Sequence, residues 1–238
     1  MPTQSIGRAL RPACIIASAV VTWALVTGLL LSSAGASPAS ERAQAKKLLL
    51  VAADMPKGWK TEKGSTGGGS GTIPGADQLA SCIGVPARLV HSNSPKADSP
   101  YFENKNGALE VQDEVSVFSS ALTARRSLAA IANTKTPGCV ATLMNGTFRA
   151  RIVASAGKGT TLGVITVTRA DPATFGPGTT GFVMMLPITA NGVSFTGEIA
   201  AIYFIKGRFG QEINFNSYGS TFPSPTARAL TAKAAALL

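Results

Sequence analysis

The stretch of sequence that decides the fold runs from residue 181 to residue 216. Its three segments read Gly-Phe-Val-Met-Met-Leu-Pro-Ile-Thr at 181–189, Val-Ser-Phe-Thr-Gly-Glu-Ile-Ala-Ala-Ile-Tyr-Phe-Ile at 193–205 and Arg-Phe-Gly-Gln-Glu-Ile-Asn-Phe-Asn at 208–216. The dipeptides Asn191-Gly192 and Lys206-Gly207 separate these segments. Because glycine supplies the positive φ that tight hairpin turns require, the pattern predicts three consecutive strands of an antiparallel sheet.

Two of these strands are apolar on both faces. Met184 and Met185 are adjacent in the first, and Tyr203 and Phe204 are adjacent in the second. Neighbouring strand residues point to opposite faces, so both faces of the sheet must be covered. The pattern favours a central sheet with helices above and below it. It leaves open a cavity for an apolar ligand on one face, with these four residues as candidate ligand contacts.

The rest of the chain predicts an α+β domain. A hairpin around Asn106-Gly107 joins a strand at 101–102 to one at 109–117, and Ser119 or Ser120 then caps a helix that Pro137 ends. We therefore expect an antiparallel β-sheet flanked by helices, an α/β/α sandwich, in a single domain over 37–238. Further strands are expected at 148–153 and 160–169, and further helices at 40–53, at 76–82 and from residue 224 to the end.

The strand at 109–117 carries several acidic residues. Glu110 and Glu114 share one face, and the alternation predicts that this face is a solvated surface. Asp113 interrupts the apolar face instead. An acid in that position is expected to pair with a buried or edge arginine.

Residues 1–36 have the pattern of an export signal. Arg8 and Arg11 precede an apolar run over 13–31, and Ala34-Gly35-Ala36 supplies a small-residue cleavage site. The alternative is an uncleaved anchor, because 19 apolar residues are long enough to span a bilayer. Either way the domain is expected to be secreted or to lie in the extracytoplasmic cell envelope, with membrane attachment only if the segment stays uncleaved.

The cysteines agree with export. Removing residues 1–36 removes Cys14 and leaves Cys82 and Cys139. An even number of cysteines in an exported chain predicts a disulfide. Two buried free thiols are the alternative.

Little catalytic chemistry is available in this composition. The chain has a single histidine, His91, in a polar stretch, and no G-x-S-x-G nucleophile elbow. No spacing of a cofactor loop or metal site is present either. The sequence therefore predicts a protein that is not an enzyme and has no cofactor or metal. A hydrolase that uses paired carboxylates is the least favoured alternative.

The charge of the chain predicts its environment more than its ligand. Beyond residue 36 the net charge is 20 − 12 = +8, which favours anionic envelope components such as headgroups or wall polymers over nucleic acid in that compartment.

Lys57, Lys60 and Lys63 surround Trp59. Trp59 is a candidate ligand contact, although a tryptophan after such a turn is more often a core anchor. Charged residues are only 14% of the chain, which excludes a coiled coil and a disordered acidic tail.

Several motifs occur in a familiar order. Asp54-x-Pro56-x-Gly58-Trp59 follows the first helix, a cysteine lies on each side of the strand and helix at 109–133, and residues 203–209 form a hairpin tip before an alanine-rich last helix. This order resembles the exported sensor-type domains of actinobacteria, such as the extracellular sensor domain of a mycobacterial serine/threonine kinase, and the PsbP-like envelope proteins. The resemblance implies a non-catalytic fold with a ligand-binding cleft, in which Cys82 and Cys139 match one of the two disulfides of that sensor domain. A sensor-like binding domain is thus the leading function, and an apolar-ligand (lipid) carrier is the alternative.

Overall fold

The sheet runs through the whole domain. A computed structural model describes residues 37–62, 75–90 and 94–238. Within these residues the strand order is β1-β3-β4-β9-β8-β7-β5, with β2 paired to β4 and β6 paired to β7, and every pairing is antiparallel. The strands are β1 (Lys60–Glu62), β2 (Lys96–Asp98), β3 (Tyr101–Glu103), β4 (Leu109–Val117), β5 (Thr160–Leu162), β6 (Thr166–Arg169), β7 (Thr180–Ala190), β8 (Val193–Lys206) and β9 (Phe209–Tyr218).

Helices cover both faces of this sheet. Seven α-helices occur in the described part of the chain, and two short 3-10 turns lie at Ala52–Asp54 and Ala87–Leu89. The α-helices are α1 (Pro38–Lys46), α2 (Ala76–Ile83), α3 (Ala121–Ile131), α4 (Thr136–Asn145), α5 (Arg149–Ala156), α6 (Pro172–Phe175) and α7 (Ser224–Leu237). None of the helices among these residues is both long and apolar enough to cross a membrane.

The two faces hold separate apolar cores. On one face, which we call the Tyr203 face, Met184 and Tyr203 pack with buried residues of α2, α3 and α4. On the other, the Phe204 face, Phe204 and Phe215 pack with residues of α6 and α7. The α/β/α sandwich predicted from the doubly apolar strands is therefore confirmed.

The strands at 180–190, 193–206 and 209–218 and the hairpin around Asn106-Gly107 lie where the sequence predicts them. The cap of α3 is also as predicted, because the Ser120 hydroxyl accepts a hydrogen bond from Thr123 N at 3.1 Å. The first helix is shorter than predicted and ends at Lys46. The single strand expected over 160–169 is two short strands, β5 and β6.

The strand predicted at 148–153 is wrong, because these residues begin α5. Phe148 and Ile152 are four residues apart, so the same pair that alternates in a strand also shares one helix face. Both side chains are buried in the core of the Tyr203 face. In the first turn of this helix, the Arg149 guanidinium donates to the carbonyl oxygens of Leu162 and Gly163.

Pro137 does not simply end a helix, as the sequence suggested. It lies in the first turn of α4, where a proline loses no hydrogen bond because the N–H groups of that turn have no partner inside the helix. The chain therefore enters a new helix directly, and Cys139 points from it into the core. Cys139 and Cys82 form a disulfide with a Cα–Cα distance of 5.8 Å, which confirms the predicted pairing.

Gly181 is a position where any side chain must disturb the sheet. A Cβ there would lie 2.0 Å from the carbonyl oxygen of Ala201 in the neighbouring strand, and backbone atoms cannot move aside as a flexible side chain can. We expect Gly181→Ala to lower the free energy of unfolding by about 1–3 kcal/mol in urea titrations. Gly138→Ala is the matched control, because nothing lies within 4 Å of its Cβ. A Gly181→Ala protein as stable as this control would contradict the prediction.

Candidate functional site

The Tyr203 face differs in polarity between the two halves of the sheet. Over β7 and β8 it is apolar, whereas over β1, β2, β3, β4 and β9 it carries carboxylates. The strand register places six of the chain's 12 acidic residues on this part of the face. They are Glu62, Asp98, Glu103, Glu110, Glu114 and Glu212. We call this set the acidic face.

The acidic face is not solvated, so the expectation for Glu110 and Glu114 is wrong. Glu110 is 1% exposed, Glu114 is 3% exposed and Glu212 is 4% exposed. The alternation along β4 correctly predicts that the two glutamates share a face. It does not reveal that β9 brings a further acid and two asparagines against them, or that helix α3 stands over one end.

Basic residues on these five strands are few. They are Lys60 and Lys96, set against six carboxyl groups on the same face. The Lys60 ammonium lies 2.9 Å from Glu103 Oε1, and the Lys96 ammonium lies 2.6 Å from Glu114 Oε2. A protein with an excess of basic residues overall has thus gathered an excess of carboxyls in one buried place, where unpaired charge is costly.

One end of the acidic face holds Glu62, Glu103 and Glu110. One carboxylate oxygen from each lies within 4.8 Å of the other two, a spacing that could hold a metal ion. The sequence predicted no metal site, because it has a single histidine, few cysteines and no calcium-loop spacing. The pairing of β1, β3 and β4 brings these three carboxylates together. The Lys60 ammonium already neutralises Glu103, and the Tyr218 hydroxyl donates to Glu110 Oε2 at 2.8 Å.

The other end holds Glu114 and Glu212, which face each other across the β4–β9 pairing. Burial raises the pKa of Glu114 to about 7 against the pull of Lys96, which lowers it. Burial, and then the nearby charge of Glu114, raise the pKa of Glu212 well above its usual range. Lys96 favours the negative charge on Glu114, whereas burial and the charge of Glu114 favour the neutral form of Glu212.

One of the two carboxyl oxygens of Glu212 has no hydrogen-bond partner among the described residues. Asn214 Nδ2 donates to Glu212 Oε1 at 2.9 Å, but Glu212 Oε2 is buried without a hydrogen-bond partner among the described residues. The donation fixes the orientation of the Asn214 amide and leaves its Oδ1 also buried without a partner. Glu212 Oε2 and Asn214 Oδ1 therefore lie in the interior without a hydrogen-bond partner among the described residues, which is unusual in a folded protein.

A pocket opens beside Glu212. It lies between α3 and the Tyr203 face and is partly open to solvent. The helix contributes an apolar wall that includes Ala124, Leu128 and Ile131, which recur at helical spacing, and Phe118 extends it. The opposite wall contains the polar residues Glu114, Ser116 and Glu212 beside Tyr203, Phe204 and Ile205. The pocket therefore has one acidic side and one apolar side.

The candidate ligand residues named from the sequence separate into three places. Tyr203 and Phe204 belong to the pocket wall. Met184 is fully buried in the core, and Met185 is half-buried in the same strand. Trp59 packs against Phe222 on the Phe204 face, with ring centroids 6.3 Å apart. His91, Lys63 and residues 1–36 lie outside the described residues.

Asp113 has a structural role. It is fully buried on the Phe204 face, and its Oδ2 accepts hydrogen bonds from Leu50 N at 3.1 Å and Gln211 Nε2 at 2.7 Å. The arginine partner expected from the sequence is thus replaced by a backbone amide and a glutamine. These bonds tie β4 to the segment that follows α1.

The alternation of residues in β9 indicates where this site lies. In β9, Glu212, Asn214 and Asn216 alternate with Ile213 and Phe215. This alternation ordinarily indicates a strand with one solvated face. Here the polar side of β9 pairs with the polar side of β4, and both are buried.

These features define the class of protein by architecture: a single-disulfide α/β/α sandwich with an acid-walled pocket on one face of its antiparallel sheet. No family model and no curated protein matches the chain. Among solved structures it is similar to the crystal structure of the extracellular domain of PknH from Mycobacterium tuberculosis. The identity is 14% and the TM-score is 0.46, over 81% of this chain and 93% of that one. Neither value is high enough to carry a ligand or a role from that domain to this chain.

Proposed function

We propose that this chain is a non-catalytic, sensor-like binding domain and that its ligand site is the pocket beneath α3. The observation that carries the proposal is Glu212, which lines an open pocket and whose buried Oε2 has no hydrogen-bond partner among the described residues. A buried acceptor without a donor costs stability. A ligand that supplies the missing donor explains why the chain keeps a glutamate there.

The disulfide supports a place of action outside the cytoplasm. Cys82 and Cys139 join α2 to α4, and such bonds persist in oxidising compartments. The export signal at 1–36 supplies the route in this proposal. Anionic envelope components remain possible partners of the basic surface, separate from the acidic pocket.

The arrangement of the carboxyls supports binding rather than catalysis. Glu114 and Glu212 are direct neighbours on one sheet, whereas glycosidase carboxyls stand on either side of the bond that they cleave. Lys96 holds Glu114 in an ion pair at 2.6 Å. Carboxyl groups that are held in place in this way are suited to bind a charged ligand.

The carrier alternative receives less support. A purely apolar ligand would leave Glu212 Oε2 without a donor and would bury Glu114 more deeply. Met184, one of the residues expected near such a cavity, is fully enclosed in the core. The apolar wall of the pocket suits the body of a ligand that also has a polar end.

Fragment binding followed by amide NMR tests the proposal. The labelled, oxidised domain 37–238 is titrated with a small library of amines, alcohols, acids and sugars. We expect at least one class to shift the amides around Phe118, Leu128 and Gly210, which line the pocket.

Two tryptophan variants of α3 make the test specific. Leu128→Trp narrows the pocket, whereas Leu122→Trp changes an exposed leucine of the same helix that does not line it. Binding should be lost in the first variant and kept in the second. Shifts that scatter over the surface, or that survive in Leu128→Trp, would overturn the assignment of this pocket as the binding site.

A further inference from the structure

We infer that the pocket beneath α3 binds a primary ammonium ion attached to a small apolar body. This inference rests on the proposed function and names the chemical class of its ligand. Three independent features of the pocket lead to it: the charge on its polar wall, the kind of atom left without a partner, and the distribution of polar and apolar surface.

The charge on the polar wall calls for a cation. Glu114 and Glu212 line it and face each other across the β4–β9 pairing, and the Lys96 ammonium lies 2.6 Å from Glu114 Oε2. One ammonium for these two carboxyls leaves one negative charge unbalanced in a buried place whenever Glu212 is ionised. A second cation in the pocket would balance the Glu114–Glu212 pair.

The unpartnered atom calls for a donor. Once the Glu212 carboxyl is ionised, its unpartnered Oε2 can accept a hydrogen bond but cannot donate one. A primary ammonium has three N–H donors and no acceptor, so one group supplies both the missing charge and the missing donor. Glu114 and Ser116 in the same wall offer oxygen atoms for the other two N–H groups.

The shape of the pocket sets the rest of the ligand. Leu128, Ile131 and Phe118 form the wall opposite the carboxyls, and they offer no hydrogen-bonding side-chain atom. An apolar body a few carbon atoms long would lie between these side chains and the carboxyls. Sugars and amino acid zwitterions match this wall poorly, because they would bury hydroxyl or carboxylate groups against it.

Binding exchanges a cation for a proton. Burial raises the pKa of Glu212 and so favours its neutral form in the empty pocket, whereas an ammonium beside it favours the carboxylate. A proton that leaves Glu212 on binding goes to solvent. Binding should therefore tighten as the pH rises through neutrality. The titratable groups that face Glu212 are Lys96, Asp98, Glu114, Tyr101 and Tyr203, while Arg125 and Arg126 of α3 are exposed.

Calorimetric titration with two matched probes tests the inference. The probes are 2-phenylethylammonium chloride and its neutral analogue 2-phenylethanol, added to the oxidised domain 37–238 at pH 6 and pH 8. We expect the ammonium to bind at least about tenfold more tightly than the alcohol, more tightly at pH 8 than at pH 6, and with a proton released.

Glu212→Gln should weaken the ammonium at least about tenfold and leave the alcohol unchanged. Leu128→Trp should weaken both probes, and Glu114→Gln gives a second charge variant if Glu212→Gln does not fold. If both probes bind wild type equally and Leu128→Trp blocks both, the ammonium assignment fails while the binding pocket stands. If neither probe binds, or if the ammonium binds Glu212→Gln as well as wild type, the inference is overturned.

Discussion

Replacing Cys82 and Cys139 together by serine is expected to lower the free energy of unfolding by about 2–5 kcal/mol. The disulfide closes a loop of 139 − 82 + 1 = 58 residues, and loop entropy for that length gives about 4 kcal/mol. This loop contains β2, β3, β4 and α3. The cross-link therefore restricts the unfolded chain over much of the candidate site.

Urea unfolding of the double variant and the wild type measures this loss. The matched control is the wild type with its disulfide reduced, which should lose about as much stability, because the cross-link and not the sulfur packing is what both proteins lack. A double variant within about 0.5 kcal/mol of oxidised wild type would contradict the prediction. Peptide mapping without reduction should recover the two cysteines as a linked pair.

The fold could be predicted from the sequence where a pattern had one interpretation. The strands at 181–216 alternate or are apolar throughout, and glycine turns separate them, so no helix competes. Phe148 to Val153 has two interpretations, because Phe148 and Ile152 fit both periods. Arg149 bonds to the end of β5, a tertiary contact that the local pattern does not show.

The candidate site could be predicted much less well. Its key pair, Glu114 and Glu212, is 98 residues apart in sequence, and no local pattern specifies the register that joins them. Sequence patterns of this kind also treat a polar strand face as solvated. The burial of the acidic face depends on the neighbouring strands and on α3, which are tertiary facts.

The domain is expected to become less stable as the pH rises from 5 to 8. Burial raises the pKa of Glu114 from 4.5 to about 7 and that of Asp113 from 3.8 to about 6. The folded protein therefore binds more protons than the unfolded chain in this interval, and the free energy of unfolding falls as the pH rises. The contribution of each group to the free energy of unfolding is fully present below its pKa in the unfolded chain. It is lost as the pH rises through the pKa of the group in the folded protein. The expected loss is roughly 3–5 kcal/mol.

Urea unfolding at constant ionic strength from pH 5 to pH 8 measures this slope. Glu114→Gln should remove roughly half of the loss of stability between pH 5 and pH 8, because the amide does not ionise. Asp77→Asn on the exposed side of α2 should leave this loss unchanged. A stability that rises over this interval, as ordinary paired carboxylates would produce, would show that the acidic face is charge-balanced already. With 2-phenylethylammonium present in excess over its Kd, the wild type should recover stability at pH 8 but not at pH 5, because the cation binds where the proton has left.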